Sequence, residues 1–190
     1  SAPCDVDAIA EIAKRHNLAV VYDGAHAFGV RYNGQSLLEY GDLSTTSFHA
    51  TKLLSSGEGG AIFANGELKE RVQSIRFFGH NTEKDIVDTG CNGKMTEVHA
   101  SLGLVNLPLV PNILQKREDI YHKYRSVLGD SVGYQLFPEK SYNYSYMPVI
   151  LESEEKLLSV IEVLNSNNVF PRRYFYPSLN TVAAVKEYTS

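Results

Sequence analysis

An amphipathic helix that runs straight into an unbroken apolar segment is the strongest constraint on this chain's fold. Over Asp5–Lys14 the residues Ile9, Ile12 and Ala13 share one helical face. Asp5 and Asp7 suit the positive end of that helix, and Asn17 is a natural stop. Leu18-Ala19-Val20-Val21-Tyr22 follows without a polar residue. A short run with no polar face fits a parallel strand covered on both sides, which points to an α/β architecture.

The pattern continues in that mode. Asn33-Gly34, inside Arg31–Ser36, signals a tight hairpin. Leu43–Phe48 and Ala61–Ala64 read as further strands, and Leu68, Val72 and Ile75 mark a helix ending near Gly79. Residues 80–93 read as a loop and 96–107 as a helix. Pro108 and Pro111 then precede a longer helix bearing Ile113, Ile120, Tyr121 and Tyr124. Beyond it, Val132–Phe137, Tyr144–Leu151 and Val169–Phe175 read as strands around a helix over 154–165. The expected division is therefore an α/β block over residues 1–110 and a connecting helix with a small α+β block over 111–190.

Composition excludes several functions. A formal charge of −4 supplies no basic patch, so nucleic acid is not an expected partner. No apolar run approaches the ~20 residues that cross a bilayer. Cys4 and Cys91 are too few for a disulfide framework, which favours a reducing, cytoplasmic setting. The six histidines (16, 26, 49, 80, 99 and 122) show no paired metal-ligand spacing, and no G-x-S-x-G elbow is present. The sequence therefore predicts no metal site and no serine hydrolase.

The chemistry concentrates in Ser47-Phe48-His49-Ala50-Thr51-Lys52, which ends a β-like run shortly before Glu58-Gly59-Gly60. A lysine in such a loop can form a Schiff base with an aldehyde. Asp23 closes the Val20–Tyr22 run and could hold a pyridine nitrogen protonated. Ser47 could bond a phosphate, and His26 could donate to a phenolic oxygen or pack near the ring. Together these are a minimal kit for pyridoxal phosphate. Singly, each residue has an ordinary reading: a solvated lysine, a turn-forming aspartate, a small buried serine, a core histidine. Their order and spacing carry the inference.

That ordered set resembles the DegT/DnrJ/EryC1/StrS family of nucleotide-sugar aminotransferases, which are fold type I, aspartate aminotransferase-like enzymes. The matching residues are Asp23-Gly24-Ala25-His26, Gly41-Asp42 through Ser47-Phe48, Lys52, Glu58-Gly59-Gly60, Gly90-Cys91-Asn92-Gly93-Lys94-Met95 and Arg172-Arg173-Tyr174-Phe175-Tyr176-Pro177. The resemblance implies part of a large domain, with a mostly parallel sheet and flanking helices, followed by a small α+β domain. It implies that Lys52 bonds the cofactor and shuttles a proton. It assigns Asp23 to the pyridine nitrogen, His26 to the phenolic oxygen and Ser47 to the phosphate. Asn92 would reach the phosphate in a neighbouring subunit, which makes a homodimer the expected assembly. Lys94 replaces the family's arginine and loses its bidentate geometry. Arg172, Tyr174 and Tyr176 are candidates for nucleotide-sugar contact.

The implied reaction is transamination of a nucleotide-linked keto-sugar, of the dTDP-4-keto-6-deoxyhexose type, with glutamate as donor, in deoxyamino-sugar and cell-surface polysaccharide biosynthesis. The family's chains are longer. The expectation is thus a fragment lacking the N-terminal half, with an uncovered strand edge, an exposed apolar face and weak or absent cofactor binding. The alternatives are another fold type I enzyme acting on amino acids, or a non-catalytic truncated paralogue serving as an assembly module.

Overall fold

In a computed structural model of the chain, residues 2–137 and 141–185 are described. They form two compact units, Ser1–Pro148 and Val149–Ser190. The first unit opens with helix α1, Val6–His16. The Asp5 carboxylate accepts the Ala8 amide N–H at its start, and Asn17 closes it in the left-handed conformation, φ 51°. Lys14, Arg15 and His16 in the last turn complement the helix dipole.

Strands β1 (Val21–Asp23), β4 (Leu43–Ser47) and β5 (Gly60–Ala64) form one sheet in the order β1-β4-β5. Between β1 and β4 lies the small hairpin of β2 (Arg31–Tyr32) and β3 (Gln35–Ser36). Its two turn residues, Asn33 and Gly34, both have positive φ (50° and 81°), the geometry whose twist suits a two-residue hairpin. β1 runs parallel to β4, with Val21, Tyr22 and Asp23 beside Leu43, Ser44 and Thr45. β5 is antiparallel to β4. The parallel pairing puts the ends of β1 and β4 on one side of the sheet. The loops that leave Asp23 and Ser47 therefore emerge together, which is what brings His26 and Lys52 into one place.

The apolar run before Asp23 departs from expectation. Only Val21–Asp23 is strand, and Leu18 (59%) and Val21 (65%) are exposed. Among the described residues nothing pairs with the outer edge of β1. The run is apolar as a doubly covered strand should be, but its covering is not supplied by these residues.

The remaining helices are α2 (Gly66–Arg76), α3 (Glu97–Asn106), α4 (Val110–Leu128) and, in the second unit, α5 (Glu154–Ser166). Thr96 and Ser153 cap α3 and α5 by accepting the amide N–H groups of His99 and Lys156. The buried core of the first unit includes Val6, Ala27, Val30, Leu38, Leu53, Leu54, Val110, Tyr121 and Tyr142. It sits beneath the two loops that carry His26 and Lys52. Each fully buried aliphatic side chain of this kind stabilises by about 1.5–3 kcal/mol.

The three later strands are shorter than the sequence predicts. Strand is confined to Gly133–Tyr134 in the first unit and Val149–Ile150 in the second, and Val169–Phe175 is not strand. Tyr144 has φ 51°, which breaks an extended run, and Asn168 (φ 59°) and Pro171 do the same for the last segment. Within the second unit no described residue is buried. No helix among the described residues is long and apolar enough to cross a membrane.

Candidate active site

The loop that carries Lys52 is held at both ends. The Phe48 amide donates to the Gly59 carbonyl at 2.8 Å and the Ser56 amide to the Phe48 carbonyl at 2.9 Å. The Lys52 amide donates to the His49 carbonyl at 2.9 Å, which makes a tight turn at the lysine itself. Leu53 and Leu54 directly after it are buried, and Ser56 is fully buried. The side-chain amide of Asn106, at the end of α3, donates to the Ser55 carbonyl at 2.9 Å. The apolar pair beside Lys52 therefore pins the loop, and the half-buried lysine is presented from a fixed base.

The opposing loop leaves β1 at Asp23. The exposed Asp23 carboxylate accepts the Ala25 amide N–H at 3.0 Å, an Asx turn that sends the chain toward His26. Gly24 makes that turn possible. A Cβ there would lie 2.5 Å from Leu38 Cδ2 and 2.6 Å from the Thr45 carbonyl oxygen. This packing favours glycine at position 24.

Lys52 Nζ and His26 Nε2 meet at 2.6 Å. Burial lowers the His26 pKa, and the positive charge of Lys52 lowers it further. The neutral imidazole therefore offers its Nε2 lone pair to the lysine ammonium, with the ring proton on Nδ1. The Tyr146 hydroxyl lies 3.5 Å from the same nitrogen, and its ring packs at 5.1 Å from the His26 ring. Ser47 lines the same cleft. Its Oγ accepts the His49 amide N–H at 3.3 Å, so its hydroxyl proton remains for an acceptor.

Three further residues of this cleft carry no sequence motif. Asn143 is buried, and its side-chain amide donates to the carbonyls of His26 (2.9 Å) and Phe28 (2.8 Å). Arg117 of α4 donates from Nη1 to the Ser145 carbonyl at 3.0 Å and faces the cleft, as does Tyr146. The segment 141–146 thus straps the His26 loop to α4. Its flank is an aromatic cluster in which Tyr142 and Tyr144 contact Tyr121 at 5.7 and 5.3 Å. The Tyr144 hydroxyl donates to Glu118 Oε1 at 2.9 Å. In the sequence the end of this strap falls in the strand expected over Tyr144–Leu151.

Of the residues singled out in the sequence, Lys52, His26 and Ser47 line one cleft, while Asp23 sits outside it at the foot of the same loop. Asn92 is elsewhere. It is exposed, bridges Phe77 in a short antiparallel contact, and accepts from Lys94 Nζ at 2.6 Å through Oδ1. Lys94 also lies 3.9 Å over the Phe78 ring. That contact leaves the Asn92 amide N–H groups to donate elsewhere. In the second unit Arg172 and Tyr176 are exposed, and Tyr174 stacks on Phe175 at 4.0 Å. Arg173, between them, pairs with Glu154 at 2.6 Å and covers the Tyr176 ring. No cluster of three possible metal ligands occurs among the described residues.

The donor set fits an anionic aldehyde cofactor. The cleft offers an amine, a serine hydroxyl and a second cation, with no aspartate or glutamate in its lining, and a carboxylate stands at the adjoining strand end. The chain is similar to known sugar transaminases. A dTDP-4-amino-4,6-dideoxy-D-glucose transaminase of Shigella dysenteriae is 44% identical over 92% of this chain and 49% of its own length. Its Escherichia coli counterpart is 34% identical over 96% of this chain and 51% of its own. Among solved structures, DesI in the presence of its TDP-sugar product superposes with a TM-score of 0.83 at 30% identity, covering 96% of this chain and 48% of DesI. The chain spans about half the length of the curated relatives it matches. The chain has a fold type I aminotransferase architecture, and the model of the DegT/DnrJ/EryC1/StrS aminotransferase family matches residues 2–190, so the chain belongs to that family.

Proposed function

We propose that the protein carrying this chain transfers an amino group from an amino acid, glutamate in the first instance, to a keto-sugar held on a nucleotide. A dTDP-linked 4-keto-6-deoxyhexose is the substrate class favoured by the two transaminase relatives and by DesI. We place it in the cytoplasm, as a homodimer. The observation that carries the reading is the 2.6 Å contact between Lys52 Nζ and a neutral His26 Nε2, in a cleft with no acidic lining.

Pyridoxal phosphate, when bound, supplies an aldehyde carbon and a ring that takes up the charge of a deprotonated carbon. Lys52 would hold it through Nζ, Ser47 would donate to its phosphate, and Asp23 would keep its ring nitrogen protonated. His26 accepts a hydrogen bond from Lys52 Nζ at Nε2, which holds the amine at one point of the cleft. Tyr146 and the Asn143 strap hold the imidazole to that task. Asn92, with its amide N–H groups left available by Lys94, would reach the phosphate in the neighbouring subunit. Arg172, Tyr174 and Tyr176 would meet the nucleotide sugar.

Replacing Lys52 with alanine in the full-length protein tests the reading. The expected result is a loss of amino transfer by at least about 10²–10⁴-fold, the usual worth of a positioned proton-transfer group. Unchanged turnover would refute it.

A further inference from the structure

We propose that Arg117 is the carboxylate-receiving residue of the Lys52 cleft, and that the molecule it receives is the amino-acid donor. The inference rests on the transaminase reading above and adds a substrate contact to it. Arg117 is the one permanent cation among the cleft's lining residues, since Lys52 must lose its charge to bond an aldehyde, and no aspartate or glutamate lines the cleft. Among the described residues Arg117 makes one hydrogen bond, from Nη1 to the Ser145 carbonyl, and no ion pair. A guanidinium has five donors, so most of its hydrogen-bonding capacity is uncommitted.

Burial makes that arrangement costly without a counter-ion. Arg117 is half-buried, and a partly desolvated charge with no partner is unfavourable unless a ligand supplies one. Its base is rigid. Arg117 lies within α4 between the buried residues Val110 and Tyr121, and Ser145 fixes the guanidinium from the strap. A planar fork so held suits bidentate capture of an oxyanion. An amino acid brings one beside its reacting amine, which must come to the end of the cleft where Lys52 stands. Ser47, on the loop side, is the residue proposed for the cofactor phosphate, so Arg117 is left for a second oxyanion. That oxyanion could also come from the nucleotide diphosphate, and the test separates the two.

Succinate, thymidine diphosphate and inorganic phosphate are titrated calorimetrically into the full-length, cofactor-loaded protein, its Arg117→Gln variant and its Arg117→Lys variant. We expect succinate binding to weaken about tenfold or more in Arg117→Gln and to recover in part in Arg117→Lys, with the other two ligands unchanged. Unchanged succinate affinity overturns the proposal, as does a loss that falls on thymidine diphosphate or phosphate. A loss shared by both variants together with a lowered Tm also overturns it, since that is the mark of a structural role. Borohydride trapping on Lys52 in the same samples separates the two claims. Trapping with unchanged succinate affinity removes Arg117 alone, whereas no trapping in the parent protein removes the transaminase reading beneath it.

Discussion

The Lys52 loop and the Asn92 segment are built in opposite ways, although one cofactor is proposed to draw on both. The residues after Lys52 are buried leucines, and its loop closes on itself through Phe48, Ser56 and Gly59. Asn92 is exposed, as are Cys91, Gly93 and Lys94 around it. One region fixes a reactive amine within its own cleft. The other directs an amide outward, oriented by a single lysine. A group that acts on its own chain's cleft can be positioned by local burial. A group that serves a neighbour must stay at the surface until the neighbour arrives.

The largest stability effect expected from this contrast is at Asn143. Replacing it with alanine strands the half-buried carbonyls of His26 and Phe28 and should cost about 2–3 kcal/mol in denaturant unfolding. Asn92→Ala should fall within about 0.5 kcal/mol of the parent. Equal effects would erase the distinction between the two regions.

Gly24→Ala comes next. The added methyl meets Leu38 and the Thr45 carbonyl, so the variant should lose about 1–3 kcal/mol and disturb the His26 loop. A variant as stable as the parent would mean that this turn is looser than its packing indicates.

His26 should make stability depend on pH. Its folded pKa lies below the ordinary 6.5, so between the two values the unfolded chain binds the proton and the folded chain does not. Stability therefore rises with pH through that interval and is lost as pH falls. His26→Gln should flatten this part of the profile, and an unchanged slope would detach His26 from the effect.

A smaller loss than at Asn143 or Gly24 is expected at Tyr144, whose hydroxyl bonds Glu118 at the rim of the strap. Burial, reinforced by that carboxylate, pushes its pKa up to about 12. Tyr144→Phe should cost about 0.5–1.5 kcal/mol. Ultraviolet titration of the parent should show this phenol ionising after the exposed tyrosines. Early ionisation would mean the strap does not enclose it.

Much of the frame was legible in the sequence because its signals are local. Asn33-Gly34 sets its own turn, and Asn17 ends its own helix. Lys52, His26 and Ser47 were grouped by their order and spacing, and the parallel pairing of β1 with β4 brings their loops to one side. Arg117, Asn143 and Tyr146 were not legible, since they enter the cleft from distant sequence through side-chain contacts that no spacing rule encodes. The strand expected over Tyr144–Leu151 misled at its start for the same reason. Residues 142–146 each have their own partner instead: the Tyr121 cluster, the His26 loop, Glu118, Arg117 and the His26 ring. The apolar run before Asp23 was legible as strand-like, whereas its exposed face depends on what covers it.

The most direct test of the account is borohydride reduction of the full-length protein in the presence of pyridoxal phosphate, followed by peptide mapping. The account predicts a pyridoxyl mass on Lys52, absent from Lys52→Ala and reduced in Asn143→Ala, where the His26 loop is released. A pyridoxyl group on a different lysine, or none at Lys52 at saturating cofactor, would contradict it.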